Sequence, residues 1–350
     1  MDMQQAAETS LQGEPPVAAS FGNDSAARQA ALKGVAVCDR SHWGRIEIAG
    51  GDRVRYLHNQ STNDFQRLQS GEGCDTVFVT STARTLDLAT VYVLETHFLV
   101  LVSPQRHQQI LAWLDRYIFP MDQVSLKDCT SDTAVLSLIG PESQALLAGL
   151  GLPVPDGPHG QHLSGTLGKA EVRVAVGSGL AAPGYTLICT AQDRAALWQG
   201  LVAAGAVPMG DRAWEQLRIE QGRPAPDCEL TEDYNPLEAG LWHTISFNKG
   251  CYIGQETIAR LDTYKGVKQQ LWGLRLSQPV EPGTPILLND EKVGLVTSVT
   301  EASEGAIGLG YVRTKAGGAG LTAQAGEAIA EVVEIPFVTR DRSAALGVSS

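Results

Sequence analysis

No two of the six cysteines, Cys38, Cys74, Cys129, Cys189, Cys228 and Cys251, lie close together in the sequence. That spacing leaves no Cys-x-x-Cys redox or metal site and argues against a disulfide framework. Long apolar runs are missing too: residues 98–102 are typical of the short ones, far below the roughly 18 residues needed to cross a bilayer. Positive charge is scarce, with 27 Lys and Arg against 39 Asp and Glu and a net charge of -12. Long-range repulsion from phosphate then disfavours a broad nucleic-acid surface, although a local basic pocket stays open. Asp2, Glu8 and Glu14 precede the first basic residue, Arg28, which fits neither a secretory signal nor an Arg-rich transit peptide; the expectation is a cytoplasmic protein. There is no Walker loop. Gly177-Ser178-Gly179 is followed by glycine only at Gly184, which breaks the dinucleotide spacing, and Gly308-Leu309-Gly310 lies inside a strand pattern. The seven histidines contain no His-x-x-x-His arrangement, and no metal site is expected.

What is present is ordinary globular material. The 350 residues are 43% hydrophobic and 19% charged, with 37 Gly and 17 Pro, enough chain for about two domains and a substantial core. Residues 1–23, rich in Gln, Ala, Glu and Pro without periodicity, read as a flexible tail. Asp52 can cap a helix in which Val54 and Leu57 share a face. Runs 75–80 and 87–94 flank a turn at 81–84 and read as an antiparallel hairpin, with Asp87 at a strand entrance. Segments 98–102 and 133–139 read as strands, and 104–117 as an amphipathic helix. The Pro, Gly and His of 149–168 mark a surface loop with His159 and His162 solvated. Segments 172–176 and 185–189 read as strands, 191–204 and 211–221 as helices. Beyond about residue 265, short strands at 270–276, 285–288, 293–300, 306–312 and 328–335 alternate with turn residues and predict a small β-barrel. The absence of sustained βαβ alternation favours an α+β fold.

Three constellations could carry chemistry. In Ser246-Phe247-Asn248-Lys249-Gly250-Cys251-Tyr252-Ile253-Gly254-Gln255-Glu256, two glycines bracket a cysteine just ahead of a predicted helix at 255–261. Lys249 and the helix N-terminus would surround that thiol with positive potential, while the bland alternative is a small buried hydrophobe. Trp43 and Trp214 could sandwich a flat heteroaromatic ligand, or could simply pack in the core. Asp87 either caps the hairpin turn or faces a pocket. On the helix that bears Trp214, Arg218 and Glu220 stand two residues apart, do not share a face and need separate partners.

At these residues the sequence resembles the YgfZ/GcvT superfamily, and within it the YgfZ-type folate-binding proteins linked to iron-sulfur cluster assembly and repair. The signature Lys-Gly-Cys-(Tyr/Phe)-x-Gly-Gln-Glu followed by Ala-Arg is matched by Lys249, Gly250, Cys251, Tyr252, Gly254, Gln255 and Glu256 with Ala259 and Arg260. Trp43, Gly50, Asp52, Gln60, Thr62 and Asp64 hold the family's spacing, as do Trp214, Glu220 and Gly222. The resemblance implies a three-part, aminomethyltransferase-like α+β fold around a central folate channel, ending in a β-barrel. The expected division is a flexible tail at 1–29, an N-terminal folate-binding part at 30–150, a second part carrying the cysteine motif at 151–264, the barrel at 265–337 and a flexible tail at 338–350. It implies tetrahydrofolate or a derivative as cofactor, with Trp43, Trp214, Asp87, Arg218 and Glu220 as folate contacts and Cys251 and Asp87 as the chemical groups. Where aminomethyltransferases carry a pterin-binding acidic residue in Gly-Tyr-Thr-Gly-Glu, residues 179–185 read Gly-Leu-Ala-Ala-Pro-Gly-Tyr and hold no carboxylate.

The leading expectation is a folate-binding accessory protein for iron-sulfur cluster assembly or repair. Its partners would be folate and cluster-assembly factors or client enzymes, with any effect on tRNA modification indirect and no direct contact with nucleic acid or membrane. The alternatives are a folate-dependent aminomethyl or methyl transferase, and a docking module without folate.

Overall fold

A computed structural model describes residues 8–10, 15–264, 266–302 and 305–342. The described chain divides into two compact units: one holds the residues up to His58, Phe65–Asp75 and Ala89–Glu215, the other Asn59–Asp64, Thr76–Leu88 and everything from Gln216 onward.

The first unit is built on a six-stranded sheet in the order His162–Leu167, Ala170–Val176, Gly184–Thr190, Thr133–Ile139, Ala36–Asp39, Val207–Met209. Neighbours run antiparallel except the last pair, which is parallel. The central strand Thr133–Ile139 is buried on both faces after its first residue, which is why it reads as an unbroken apolar run rather than an alternating one. Helices Asp24–Lys33, Ser143–Gly149 and Arg194–Ala203 pack on this sheet, and Leu136, Leu187, Leu197 and Trp198 form its core.

A five-stranded sheet follows the order Gly73–Val79, Thr85–Val93, His97–Pro104, Trp43–Ala49, Ser125–Asp128. Its first two strands each run from one unit into the other. The second unit ends in a closed barrel of six strands, Gln269–Leu276, Ala306–Arg313, Glu291–Glu301, Pro285–Leu288, Thr322–Ala325 and Ala328–Val333. Closure leaves no unpaired barrel edge.

Several expectations need correction. The stretch to Asn23 is not wholly a tail: Val17–Ser20 pairs with Glu8–Ser10, and Phe21 is buried with its ring stacked on Trp198 at 5.6 Å. A single aromatic in a polar stretch supplied the anchor. Helix Asp24–Lys33 starts inside the expected tail; residues 1–7 and 11–14 lie outside the described ones. At the other end, Val338 is buried, and Arg342 pairs with Asp262 and lies over the Phe247 ring, so residues 338–342 are not the flexible tail expected; residues 343–350 lie outside the described ones. The loop at 149–168 contains the strand His162–Leu167. His162 is not solvated but 1% exposed, with Nδ1 2.9 Å from Arg173 Nη1, whereas His159 is exposed as expected, with Nε2 3.0 Å from Asp75 Oδ1.

Candidate functional site

The two tryptophans named from the sequence meet in the first unit. Trp43 opens the strand Trp43–Ala49, Trp214 sits in the first turn of the helix Asp211–Gln221, and both are buried. Their ring centroids are 5.5 Å apart at an interplanar angle of 82°. This is edge-to-face contact, a favourable arrangement of two ring quadrupoles. It overturns the sandwich, because the indoles fill the space a flat ligand would need between them. The Arg40 guanidinium lies 4.6 Å from the Trp43 ring centroid, and its Nη2 donates to Thr186 Oγ1 at 3.1 Å. Gly179, at φ +85, is where this arginine packs: a Cβ there would stand 2.5 Å from Arg40 Nη1. The segment lacking the acidic residue is thus occupied by a buried cation.

His42, between Arg40 and the indoles in sequence, is 7% exposed. Burial pushes its pKa down to about 4, helped by the charges of Arg40, Arg45 and Arg194. Burial, with Arg173 beside it, also pushes His162 down to about 4. Both imidazoles are therefore neutral at pH 7 in the folded chain. The unfolded chain protonates them near 6.5, so it binds more protons throughout the window down to about pH 4 and stability falls as pH falls. Each histidine is expected to remove about 2 kcal/mol of stability between about pH 7 and about pH 5. Urea midpoints across that range should drop steeply, and less steeply in His42→Gln/His162→Gln; identical slopes would refute the assignment.

In the second unit, Asp87 is the third residue of the strand Thr85–Val93 and is fully buried. The turn that it was expected to cap is closed instead by Thr80, whose Oγ1 accepts the Arg84 N–H at 3.0 Å, with Ala83 at φ 61. Asp87 Oδ1 accepts the Leu88 N–H at 2.9 Å. The turn reading fails because the strand begins two residues before Asp87 and draws it inward.

Arg218, expected against folate, is 2% exposed and engaged within the protein. Its Nη1 donates to Glu229 Oε2 at 2.8 Å and its Nη2 to Ser298 Oγ at 2.9 Å. Glu229, 0% exposed, also accepts from Thr297 Oγ1 and Ser298 Oγ at 2.6 Å and from the Ala225 N–H at 3.0 Å. This buried cluster holds Arg218 against Glu229 and the barrel strand Glu291–Glu301, so its guanidinium, expected to contact folate, is engaged within the protein. Glu220 is half-buried on the same helix.

The cysteine motif is strapped to the segment Asn59–Asp64. Thr62 Oγ1 donates to Thr244 O at 2.8 Å, and the Ile253 N–H to Asn59 O at 3.1 Å. Lys249 Nζ donates to Ser61 O at 2.7 Å and Asn63 O at 2.6 Å, and lies 4.7 Å from the Tyr252 ring centroid. Its ammonium holds the backbone in place rather than serving as a charge aimed at the thiol, as the sequence had suggested. Tyr252 is buried with Leu237, Trp242 and Ile258. Gly254 stands at φ +80, where a Cβ would come within 2.9 Å of Thr80 O, and from it the helix Gln255–Thr263 starts. Only glycine meets both demands. Cys251 is exposed, as are Gly250, Glu256 and Arg260, and Gln255 is half-buried. Cys38, Cys129 and Cys189 are buried, and burial pushes the last two thiols up to about 11 and about 12. The buried-hydrophobe alternative for Cys251 is thereby overturned.

Sequence reasoning missed Glu229, Arg40 and His42. Glu229 carries no local motif, and its partners stand 11 and 69 positions away. Arg40 and His42 flank Trp43, but the polar run Asp39 to His42 looks like a solvated turn until the fold buries it.

The description "GCVT N-terminal domain" matches residues 18–249, about two thirds of the chain. The chain belongs to the GCVT family. A putative chloroplastic transferase of Arabidopsis thaliana is 46% identical over 341 residues, covering 96% of this chain and 79% of the relative. The aminomethyltransferase of Rubrobacter xylanophilus is 30% identical over 316 residues, covering 87% and 83%. The crystal structure of glycine cleavage system aminomethyltransferase T from Bartonella henselae superposes with a TM-score of 0.84 at 21% identity, covering 97% and 96%. The GcvT-like mixed α/β fold with a C-terminal barrel, implied by the resemblance, is the fold of this chain. Among the described residues, no helix is long and apolar enough to cross a membrane.

Proposed function

We propose that the chain is a folate-dependent transferase of the aminomethyltransferase kind, working on tetrahydrofolate or a derivative, with Asp87 as its principal chemical group. The observation that carries the reading is the complete burial of this carboxylate in a strand interior, in a chain of the GCVT family. A carboxylate held out of water inside a strand is an arrangement that sites binding or moving a substrate proton recurrently use. Asp87 would orient a substrate amine and hold or accept its proton. The fit to folate is partial: the closed indole pair leaves no slot between its rings, and Arg218 is bound to Glu229, so neither grips the ligand as the sequence suggested. Trp43, Trp214 and Glu220 remain proposed folate contacts.

A second reading is favoured by one observation, the exposure of Cys251 on a backbone strapped down by Lys249 and Gly254. It is the YgfZ-type role, in which the motif from Lys249 to Arg260 presents a thiol for iron-sulfur cluster assembly or repair, with assembly factors or client enzymes as partners. Under either reading the divisions at residues 150 and 264 would separate the folate part, the motif part and the barrel. The cytoplasmic placement belongs to this proposal as well; the Arabidopsis relative is by its name chloroplastic.

Tetrahydrofolate titrated against the full chain should quench tryptophan fluorescence saturably, and a one-carbon donor should turn over. Cys251→Ala leaves both intact if the transferase reading holds. Absence of turnover, with Cys251→Ala failing to support cluster enzymes in cells lacking the native factor, selects the second reading. No quenching sinks both and leaves the docking module.

A further inference from the structure

The first unit contains a cleft of about 530 Å³, within the range of small-molecule sites. One wall is the face of the six-stranded sheet turned away from its helices. Along Ala170–Val176, the side chains of Ala170, Val172 and Val174 enter the core, so alternation sends Glu171 and Arg173 to the other side, with Ile188 directly across from Arg173. The other wall is a row on three neighbouring strands of the five-stranded sheet, Leu99, Glu47 and Lys127. Facing sheets ordinarily interdigitate apolar side chains to make a core. Here charged residues stand on both sides, and none of the residues assigned above to folate or to the thiol lines the gap.

These charges do not cancel. Lys127 Nζ donates to Asp132 Oδ2 at 2.9 Å rather than to Glu47 beside it. Arg173 is half-buried, and its one hydrogen bond runs from Nη1 to Nδ1 of the neutral His162, 2.9 Å away. No carboxylate pairs with it among the described residues; Glu95 adds only a longer-range attraction. Its Nε and Nη2 are neither hydrogen-bonded nor buried. They form the side-on edge of the guanidinium, the one that takes a carboxylate through two parallel hydrogen bonds. Glu47 is half-buried and Glu171 exposed, and among the described residues neither carboxylate has a hydrogen bond or an ion pair. The cleft therefore offers one unpaired cation and two unpaired carboxylates around an apolar floor of Leu99 and Ile188.

We infer that this cleft is a second binding site, for a free basic amino acid of the lysine or ornithine kind. Its carboxylate accepts hydrogen bonds from Arg173 Nε and Nη2, its two ammonium groups pair with Glu171 and Glu47, and its methylene chain lies on Leu99 and Ile188. Glu171 and Arg173 stand two positions apart on one strand face, about 6–7 Å along the strand, so the carboxylate and α-ammonium at one end of the ligand reach both. Glu47, on the facing wall, takes the ammonium at the far end. A simple anion would leave both glutamates unmatched, and a diamine would meet Arg173 with like charge.

The test is calorimetric titration of the full chain with lysine at fixed ionic strength, beside three probes that each lack one charge. Norleucine lacks the side-chain ammonium, Nα-acetyl-lysine the α-ammonium and lysinamide the carboxylate. Saturable binding of lysine is expected, with each probe about tenfold weaker. Arg173→Gln should weaken lysine about tenfold and leave lysinamide unchanged, and Glu47→Gln should weaken lysine equally and leave norleucine unchanged. No saturable heat with lysine, any one probe bound as tightly as lysine, or undiminished lysine binding by Glu47→Gln overturns the inference. Glu47 makes no hydrogen bond or ion pair among the described residues, so its variant decides even if taking Arg173 from His162 disturbs the fold.

Discussion

Arg218→Met should lower unfolding free energy by about 3–5 kcal/mol, a large part of the 5–15 kcal/mol that typically separates folded from unfolded chains. The cause is the partner left behind. Glu229 is 0% exposed and would keep its hydrogen bonds from Thr297, Ser298 and Ala225 while losing the countercharge that makes its ionised form tolerable there. Adding Glu229→Gln should return about half of the loss, because a neutral amide accepts some of the same hydrogen bonds at a smaller desolvation cost. Urea unfolding followed by tryptophan fluorescence reads both variants. A single-variant loss below about 1 kcal/mol would mean that the pair behaves like a surface ion pair.

Asp87→Asn is expected to cut kcat by roughly a hundredfold to ten-thousandfold, the span attributed to a positioned acid-base group. The substitution keeps the size of the side chain and an oxygen able to accept the Leu88 N–H. The circular dichroism spectrum and tetrahydrofolate quenching should stay close to the parent while turnover collapses, with KM little changed. Undiminished kcat would remove Asp87 from the chemistry and with it the main support for a transferase.

How far the sequence spoke for the fold depends on the range of the interactions. The helix Asp211–Gln221 and the strand Thr133–Ile139 were readable to the residue, because 3.6-residue periodicity and an unbroken apolar run are local signals. Five of the six barrel strands were readable from turns and β-branched runs, whereas Thr322–Ala325 escaped: Thr-Ala-Gln-Ala buries only two alanines and has no β-branched core. His162 was misjudged because a Pro- and Gly-rich neighbourhood says nothing of the pairing with Ala170–Val176 that buries it. The same limit governs the candidate site. Motif residues from Lys249 to Arg260 stood out as a string, but the destination of the Lys249 ammonium depends on carbonyls almost 190 residues earlier. The proximity of the two indoles followed from the resemblance; their perpendicular packing is a matter of tertiary fit that no spacing encodes.

Each compact unit is assembled from three separate stretches of chain. A gene fragment beginning at Gln216 would therefore make a barrel half stripped of Asn59–Asp64 and Thr76–Leu88. Lys249 would lose both carbonyls that now receive its ammonium, Thr244 its hydroxyl donor, and Tyr234 O the Thr85 N–H. Nineteen residues, supplied from the other end of the polypeptide, thus decide whether the thiol-bearing turn has a seat. Neither half can be harvested as a working part, and a functional split protein would need those two strips grafted onto its C-terminal piece.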